Sequence, residues 1–490
     1  MTFHIKYRMS RALYIMELKM SNIKKSIWAG LSVLTLTACQ PSHTGTLYHS
    51  FTELDPVTQE ITPQAWVIVD GDKIAKVGAG SLPRGSFDQS IDMSGRYALP
   101  GLIDAHAHIT AGPHTFEIKD GAPLVTIESR DDITKFSARQ ALAFGVTTVR
   151  NPGGSTEANH NYDQKIASGE WIGPEAVHAG SVIQPLPMGG SAFTHPKTEA
   201  EWQAEAEHQA KMGMRYFKLY VSLNEEELAQ GVRAAKAAGL KPIAHLDGVS
   251  WTTASKLGIQ GLEHALPTSA DLLEPDAKEA YLADITPDSR YTYRWFEYVD
   301  FEGPKFLELV ESLKANQIEL NFNFLVNHVI YNADNPDIFP QEWDRFAHPE
   351  NLAAAEHFRE LGTTGWAPED FEKARAAFPK VLEFGKILYD AGLPIMIGTD
   401  GNGGAPYLAF EMKLHTAAGI AAWDVLNLAT TSATEILQIS DRTGRIEQGL
   451  EADIVFLNSN PLDDMMNIAD VDLTLSNGKA YSFEEMTRMK

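Results

Sequence analysis

The chain has 490 residues, 44% of them hydrophobic, and a formal net charge of -24. That length accommodates one large domain with an appendage, or two to three ordinary domains, with ample material for a core. The acidity argues against nucleic acid as a partner and against an anionic membrane surface as a dock for the body of the protein, and the single cysteine, Cys39, excludes an intramolecular disulfide.

Lys24 and Lys25 precede a short apolar run over 27–36 that closes in Leu36-Thr37-Ala38-Cys39. A charged start, a short apolar stretch and small residues before a cut make a secretory signal. The run is too short to span a bilayer as a stable helix. Its ending resembles a bacterial lipobox, which implies that Cys39 is lipidated and becomes the mature N-terminus. Gln40 after it implies sorting to the periplasmic face of the outer membrane. Residues 1–39 are therefore expected to be a lipoprotein signal, with Met20 a more normal start than Met1, and residues 40–46 a polar tether.

Residues 47–98 carry short β signals. Ala65-Trp66-Val67-Ile68-Val69 and Lys73-Ile74-Ala75-Lys76-Val77 flank Asp70-Gly71-Asp72, a strong hairpin cue. A few strands alone would be marginal. Partners are expected at the far end, where Ile454-Val455-Phe456-Leu457 reads as a strand and Thr474-Leu475, Asn477-Gly478 and Lys479-Ala480-Tyr481 as a hairpin. The expected result is one small β-sandwich-like domain built from 47–98 and 438–490.

Between 99 and 437 strands alternate with helices. Leu99 to His108 reads as an apolar strand entered through Pro100-Gly101 and ending in two histidines, His106 and His108. Alternate strand residues point to one side, so the two imidazoles can share one metal ion. Asp131 and Asp132 open a helix that stops at Gly145, and Val146-Thr147-Thr148-Val149 follows as a strand. Thr198 and Asn224, each with a glutamate three residues on, cap two further helices. Strands are expected around Ala176, over 215–221, at Pro242-Ile243-Ala244-His245, at Gly261-Leu262-Glu263-His264, over 318–326 and at 394–400. Eight strands with helices between them predict a (β/α)8 TIM-like barrel, an α/β fold whose catalytic groups sit at the C-terminal strand ends. Residues 265–317 and 327–380 are expected as mostly helical insertions over the barrel mouth.

Polar residues recur at those ends: His106, His108, Lys218, His245, His264 and Asp400. With them come Pro100-Gly101-Leu102-Ile103-Asp104-Ala105-His106-Ala107-His108, Thr147-Thr148-Val149-Arg150, Phe217-Lys218-Leu219-Tyr220, Ala244-His245, Glu263-His264-Ala265, Gly398-Thr399-Asp400, Thr431-Ser432-Ala433-Thr434 and Gly449-x-x-Ala452-Asp453. Together these motifs resemble the amidohydrolase superfamily of metal-dependent hydrolases, in its prolidase-like and imidazolonepropionase-like types, over roughly 47 to 485. The resemblance implies two divalent ions, Zn2+ for example, held by His106, His108, Lys218, His245, His264 and Asp400. Lys218, an ammonium costly to bury unpaired, would be carbamylated by CO2 and bridge the two ions. Asp400 would take a proton from a bridging hydroxide or water and carry it to the leaving nitrogen.

Recognition of substrate is less defined. Tyr220, two residues beyond Lys218 on the same face, is a candidate donor to a developing oxyanion. Arg150 suits either a substrate carboxylate or a neighbouring acid. His178, Gly189, Gly190, His195 and His328 are candidates for the pocket rim. The leading function is hydrolysis of an amide C–N bond in dipeptides or N-acyl amino acids, with a small molecule or short peptide as partner, contact with the membrane only through the lipid anchor, and a homo-oligomer left open. The alternatives are a cyclic-amide hydrolase or deaminase, an esterase or lactonase, and a lipid-anchored binding protein. Deamination is disfavoured because Leu246-Asp247-Gly248 follows His245 without the expected glutamate.

Overall fold

The computed structural model describes residues 44–488 apart from 120, 121, 186, 187, 287, 404 and 405. Cys39, Met20 and the rest of the expected signal and most of the tether lie outside the described residues. No helix among the described residues is long and apolar enough to cross a membrane.

The barrel strands are Leu102–Asp104, Val146–Asn151, Glu175–His178, Tyr216–Leu219, Lys241–Ala244, Gly261–Glu263, Glu319–Asn321 and Ile395–Met396. All neighbours run parallel. A bridge from Ala179 to Tyr216 joins the third to the fourth. Ala105 N–H donates to the Ile397 carbonyl (2.8 Å) and Asp400 N–H to the His106 carbonyl (2.7 Å), joining the eighth to the first. The ring is thus closed, as the alternating pattern predicts. Its inside is filled by Ile103, Val177, Tyr216, Ile243 and Met396, while Phe217, Leu219, Ala244, Leu262 and Leu320 face the surrounding helices.

Local chemistry accounts for the elements. Both expected capping boxes form, at Thr198–Glu201 and Asn224–Glu227, opening Glu199–Lys211 and Glu225–Ala237. The seventh strand is shorter than its apolar sequence suggests. Asn323 turns into the left-handed region (φ 46°) and the helix Phe324–Tyr331 begins at once. Buried Glu411 accepts the N–H groups of Phe324 (2.9 Å) and Leu325 (2.7 Å) at that helix start, and burial pushes its carboxyl up to about 8.

The regions expected as insertions hold the helices Pro275–Asp284, Tyr291–Tyr298, Pro304–Ala315, Phe324–Tyr331, Pro349–Gly362 and Pro368–Asp390. A hairpin not read from the sequence, His114–Lys119 with Ala122–Ile127, follows the first strand. It docks on the loop before Phe193: Gly189 N–H donates to the Val125 carbonyl (2.8 Å), and a side chain on Gly190 (φ 88°) would strike the Ile127 carbonyl at 2.2 Å.

The β unit joins both ends of the described chain. Ile454–Leu457 pairs antiparallel with Tyr97–Pro100, which pairs with Thr46–Asp55. One continuous eight-stranded sheet curls over Tyr48, Phe51, Val67, Ile454, Phe456 and Leu475, a sandwich-like packing in which Phe51 meets Phe456 edge to face at 5.3 Å.

Candidate metal centre

His106 and His108 leave the first strand with their ring nitrogens already assigned by their partners. Glu263 Oε2 accepts from His106 Nδ1 at 2.8 Å, and the Gly153 carbonyl accepts from His108 Nδ1 at 2.8 Å. In the neutral tautomer that these partners select, each Nε2 carries a lone pair. Both are aimed at one oxygen: Asp400 Oδ1 lies 3.1 Å from His106 Nε2 and 3.1 Å from His108 Nε2. Three acceptors converging without a proton between them repel unless a cation sits among them. His264 Nδ1 completes the group 4.0 Å from Asp400 Oδ2. His106, His264 and Asp400 each offer a ligand atom within 4.8 Å of the others.

His245 and Lys218 lie beside this group. The His245 and His264 rings are 4.3 Å apart, and neither Nδ1 has a hydrogen-bond partner. Burial, with Lys218 adding to it, pushes His245 down to about 3; burial and His245 hold His264 well below the usual range. Both imidazoles are therefore neutral, the form that ligates a metal. Lys218 is 2% exposed with Nζ unpartnered, and burial lowers its amine to about 8. Orphaned nitrogens in a buried cluster, facing one carboxylate, fit divalent ions.

The backbone holds this geometry under strain. Asp400 (φ 58°) and His264 (φ 67°) are both left-handed, conformations that surrounding structure must enforce. Asp104 supplies part of that enforcement. It accepts from Thr399 Oγ1 (2.8 Å), Thr399 N (3.0 Å) and His106 N (3.2 Å), tying strand eight to strand one.

The residues expected at the rim divide. The Tyr220 ring stands edge-on to His245 at 5.2 Å, with the phenol half-buried. Burial and the Asp400 charge push its hydroxyl well up, so it stays a donor. Arg150 corrects to its other reading. It is 1% exposed, giving Nη2 to Glu263 Oε2 (2.7 Å) and Nε to the Ala105 carbonyl (2.5 Å), so it braces the residues around His106. His178 also corrects: its ring turns outward to Asp163 Oδ1 (3.0 Å) and lies against Tyr162. His195 faces the carbonyls of Gln184 and Met188 (2.9 Å to the latter) and fastens a loop. His328 sits in an aromatic group with Phe410 (5.1 Å) and Phe378 (5.7 Å).

Three contributors escaped the sequence reading. Glu263 stands in a quoted motif, yet nothing local shows that it orients His106. His114, exposed on the hairpin, lies within electrostatic range of His108 and Asp400. Tyr291, from the helix Tyr291–Tyr298, lies within range of Tyr220 and Asp247. Between the loops that leave strands four and five is a cleft of about 450 Å³, lined by Ser222, Asn224, Glu225, Asp247, Ser250 and Asp271 among others.

Comparisons with known proteins give the family and the fold. The sequence pattern of the amidohydrolase family matches residues 97–481. An imidazolonepropionase of Alkaliphilus metalliredigens is 25% identical over 268 residues, 46% of this chain and 63% of that protein. One from Fusobacterium nucleatum is 22% identical over 276 residues, 47% and 65% of the respective chains. The chain thus aligns with under two thirds of either relative. Among solved structures, a Xaa-Pro dipeptidase with methionine in its active site superposes with a TM-score of 0.63 at 20% identity, covering 89% of this chain and 99% of the other. The ochratoxinase of A. niger gives 0.61 at 18%, covering 90% and 96%. With the family pattern spanning most of its length, the chain belongs to the amidohydrolase family.

Proposed function

We propose that this protein is a dinuclear metal-dependent hydrolase of amide C–N bonds, acting on short peptides that carry a free amine. The observation that carries the metal reading is the convergence of His106 Nε2 and His108 Nε2, whose opposite ring nitrogens donate to Glu263 and the Gly153 carbonyl, on Asp400 Oδ1. His106, His108 and Asp400 would hold one ion, His245 and His264 the other, and Lys218, carboxylated, would bridge them. Bound metal supplies hydroxide at neutral pH by lowering the pKa of a coordinated water to about 7.

The remaining work falls to this chain's own groups. Asp400, whose side chain is 26% exposed, takes the proton lost by the nucleophile and delivers it to the departing nitrogen. Tyr220 donates its hydroxyl to the carbonyl oxygen as negative charge builds there. The cleft two residues beyond Tyr220 and His245 carries Glu225 and Asp247, while Asp271 in its lining is already paired with Lys278 at 2.5 Å. That lining supports a substrate presenting an ammonium, as a dipeptide does, over an N-acyl amino acid.

The protein without its signal, loaded with Zn2+ in bicarbonate, is assayed against matched libraries of dipeptides and N-acyl amino acids for released amine, with ammonia followed in parallel. Amine release confined to dipeptides is the expected result. Release from N-acyl amino acids alone would overturn the assignment of the cleft, and ammonia without amine would overturn peptide cleavage in favour of deamination. Acylation of Cys39, proposed from its lipobox, is checked by radiolabelled palmitate incorporation in the intact chain and its loss in Cys39→Ala.

A further inference from the structure

The barrel interior is layered, and the lower layer fixes the upper one. Tyr216 and Lys218 share the inner side of strand four, as Glu319 and Asn321 share that of strand seven. The lower pair meets across the interior, Tyr216 Oη donating to Glu319 Oε2 at 3.5 Å. Both strands run in the same direction, so Lys218 and Asn321 stand one layer higher, about 6–7 Å further along, at the level of the metal centre. Glu263 is in register beside Asn321, and the Arg150 guanidinium lies 5.4 Å over the Tyr216 ring, between the layers.

Asn321 is 1% exposed, and neither Oδ1 nor Nδ2 has a hydrogen-bond partner among the described residues. A buried carboxamide left unpaired loses what an apolar side chain of its size would keep. Its setting is tight: a Cβ on Gly398 would lie 2.8 Å from Asn321 Nδ2, 2.3 Å from His106 N and 2.5 Å from His106 Cβ. The nitrogen end therefore packs against the Gly398–His106 floor, leaving the oxygen for the interior. Asn323 shows the contrast, its Nδ2 donating to the Gly398 carbonyl at 2.7 Å. Among the described residues, the Lys218 amine and Arg150 Nη1 are further buried donors of this region without a partner, and of these only the lysine has no partner at any polar atom.

We propose that Asn321 is a positioning residue for Lys218, its Oδ1 accepting the N–H of the carboxylated lysine and so turning both carbamate oxygens up towards the histidines. This rests on the carboxylation proposed above. In that reaction the neutral Lys218 amine adds to the carbon of CO2, an N–C bond forms, one proton is released, and one N–H remains on nitrogen to donate.

The test is 13C NMR of metal-loaded protein equilibrated with 13C-bicarbonate, with metal per chain measured by elemental analysis. Wild type should show a carbamate resonance that Lys218→Ala abolishes. In Asn321→Ala and in Asn321→Leu, which keeps the volume where the smaller residue fails to fold, the resonance should fall about tenfold at limiting bicarbonate, as loss of one buried hydrogen bond to a charged group implies. Metal per chain should fall with it, and Asn321→Ser, which keeps an acceptor, should recover part of both. A resonance and metal ratio equal to wild type in folded Asn321→Leu would overturn this role alone. No resonance in wild type would overturn the carboxylation as well.

Discussion

Glu263 Oε2 lies 2.8 Å from His106 Nδ1 and 2.7 Å from Arg150 Nη2, so one buried carboxylate oxygen both orients the His106 imidazole and neutralises the guanidinium beside it. Glu263→Gln keeps the volume and removes the charge. Metal affinity should fall roughly 10–100-fold, the usual effect of losing a carboxylate behind a ligating histidine, as read by competition with a chromophoric chelator. Chemical denaturation of the metal-free protein should show a loss of about 3–5 kcal/mol, because Arg150 is left as an unpaired buried charge. Unaltered affinity would mean that His106 needs no partner to hold its ring.

Gly398→Ala should be among the most damaging small changes in the barrel. The added methyl would come within 2.3 Å of His106 N, which is backbone and cannot move alone. A stability loss of about 1–3 kcal/mol is expected, together with weaker metal binding, since His106 must shift. Gly362→Ala is the control, because nothing lies within 4 Å of its new methyl, and it should be neutral or slightly stabilising in the same denaturant titration.

Tyr220→Phe removes one hydroxyl at the rim and leaves the ring against His245. If that hydroxyl meets the developing oxyanion, kcat should fall about 10²–10³-fold with KM and metal content little altered. A change confined to KM would place Tyr220 in ground-state binding instead.

Asp453 ties the segment before the last strands to the turn at Asn477, accepting from Thr443 Oγ1 (2.7 Å) and Asn477 N (2.8 Å). Burial pushes its carboxyl up to about 6, with Glu451 and Glu175 adding to the rise. A carboxyl raised in the folded state favours folding below its unfolded pKa, and that contribution disappears as pH climbs from about 4 to about 6. Asp453→Asn, whose amide can still accept from Asn477 and donate to Thr443, should remove this decline. Unfolding free energies of wild type and variant should therefore diverge between pH 4 and pH 6, with the variant ahead at pH 7; parallel curves would show that Asp453 titrates normally.

Much of the site was legible because a parallel barrel strand delivers its last residues to one rim. His106, His108, Lys218, His245, His264 and Asp400 each stand at or just past the end of an apolar run, and the structure gathers them. The parts that were not legible depend on contacts between strands. Arg150 reads the same in sequence whether it faces a substrate or Glu263, and only the barrel's closure decides. His178 lies at a strand end but on the outward side, one residue out of phase with Val177 and Ala179. Asn321 was hidden inside an apolar stretch read as one long strand, because Asn323 and Glu411 end that strand early through a contact distant in sequence. The hairpin that carries His114 was legible and was missed: Asp120-Gly121 in the sequence between its strands is the same cue as Asp70-Gly71.

The curled β unit has a consequence for how the chain is made. Leu99, just before the first barrel strand, pairs with Val455, almost at the other terminus. A ribosome delivers these partners far apart in time, so the sheet cannot seal until Val455 has emerged, and its edge waits exposed until then. Folding of this unit is therefore late and non-local, with the slow rates and aggregation hazard of such pairings, and a chain interrupted before Ile454 leaves Tyr97–Pro100 with one side of its ladder open.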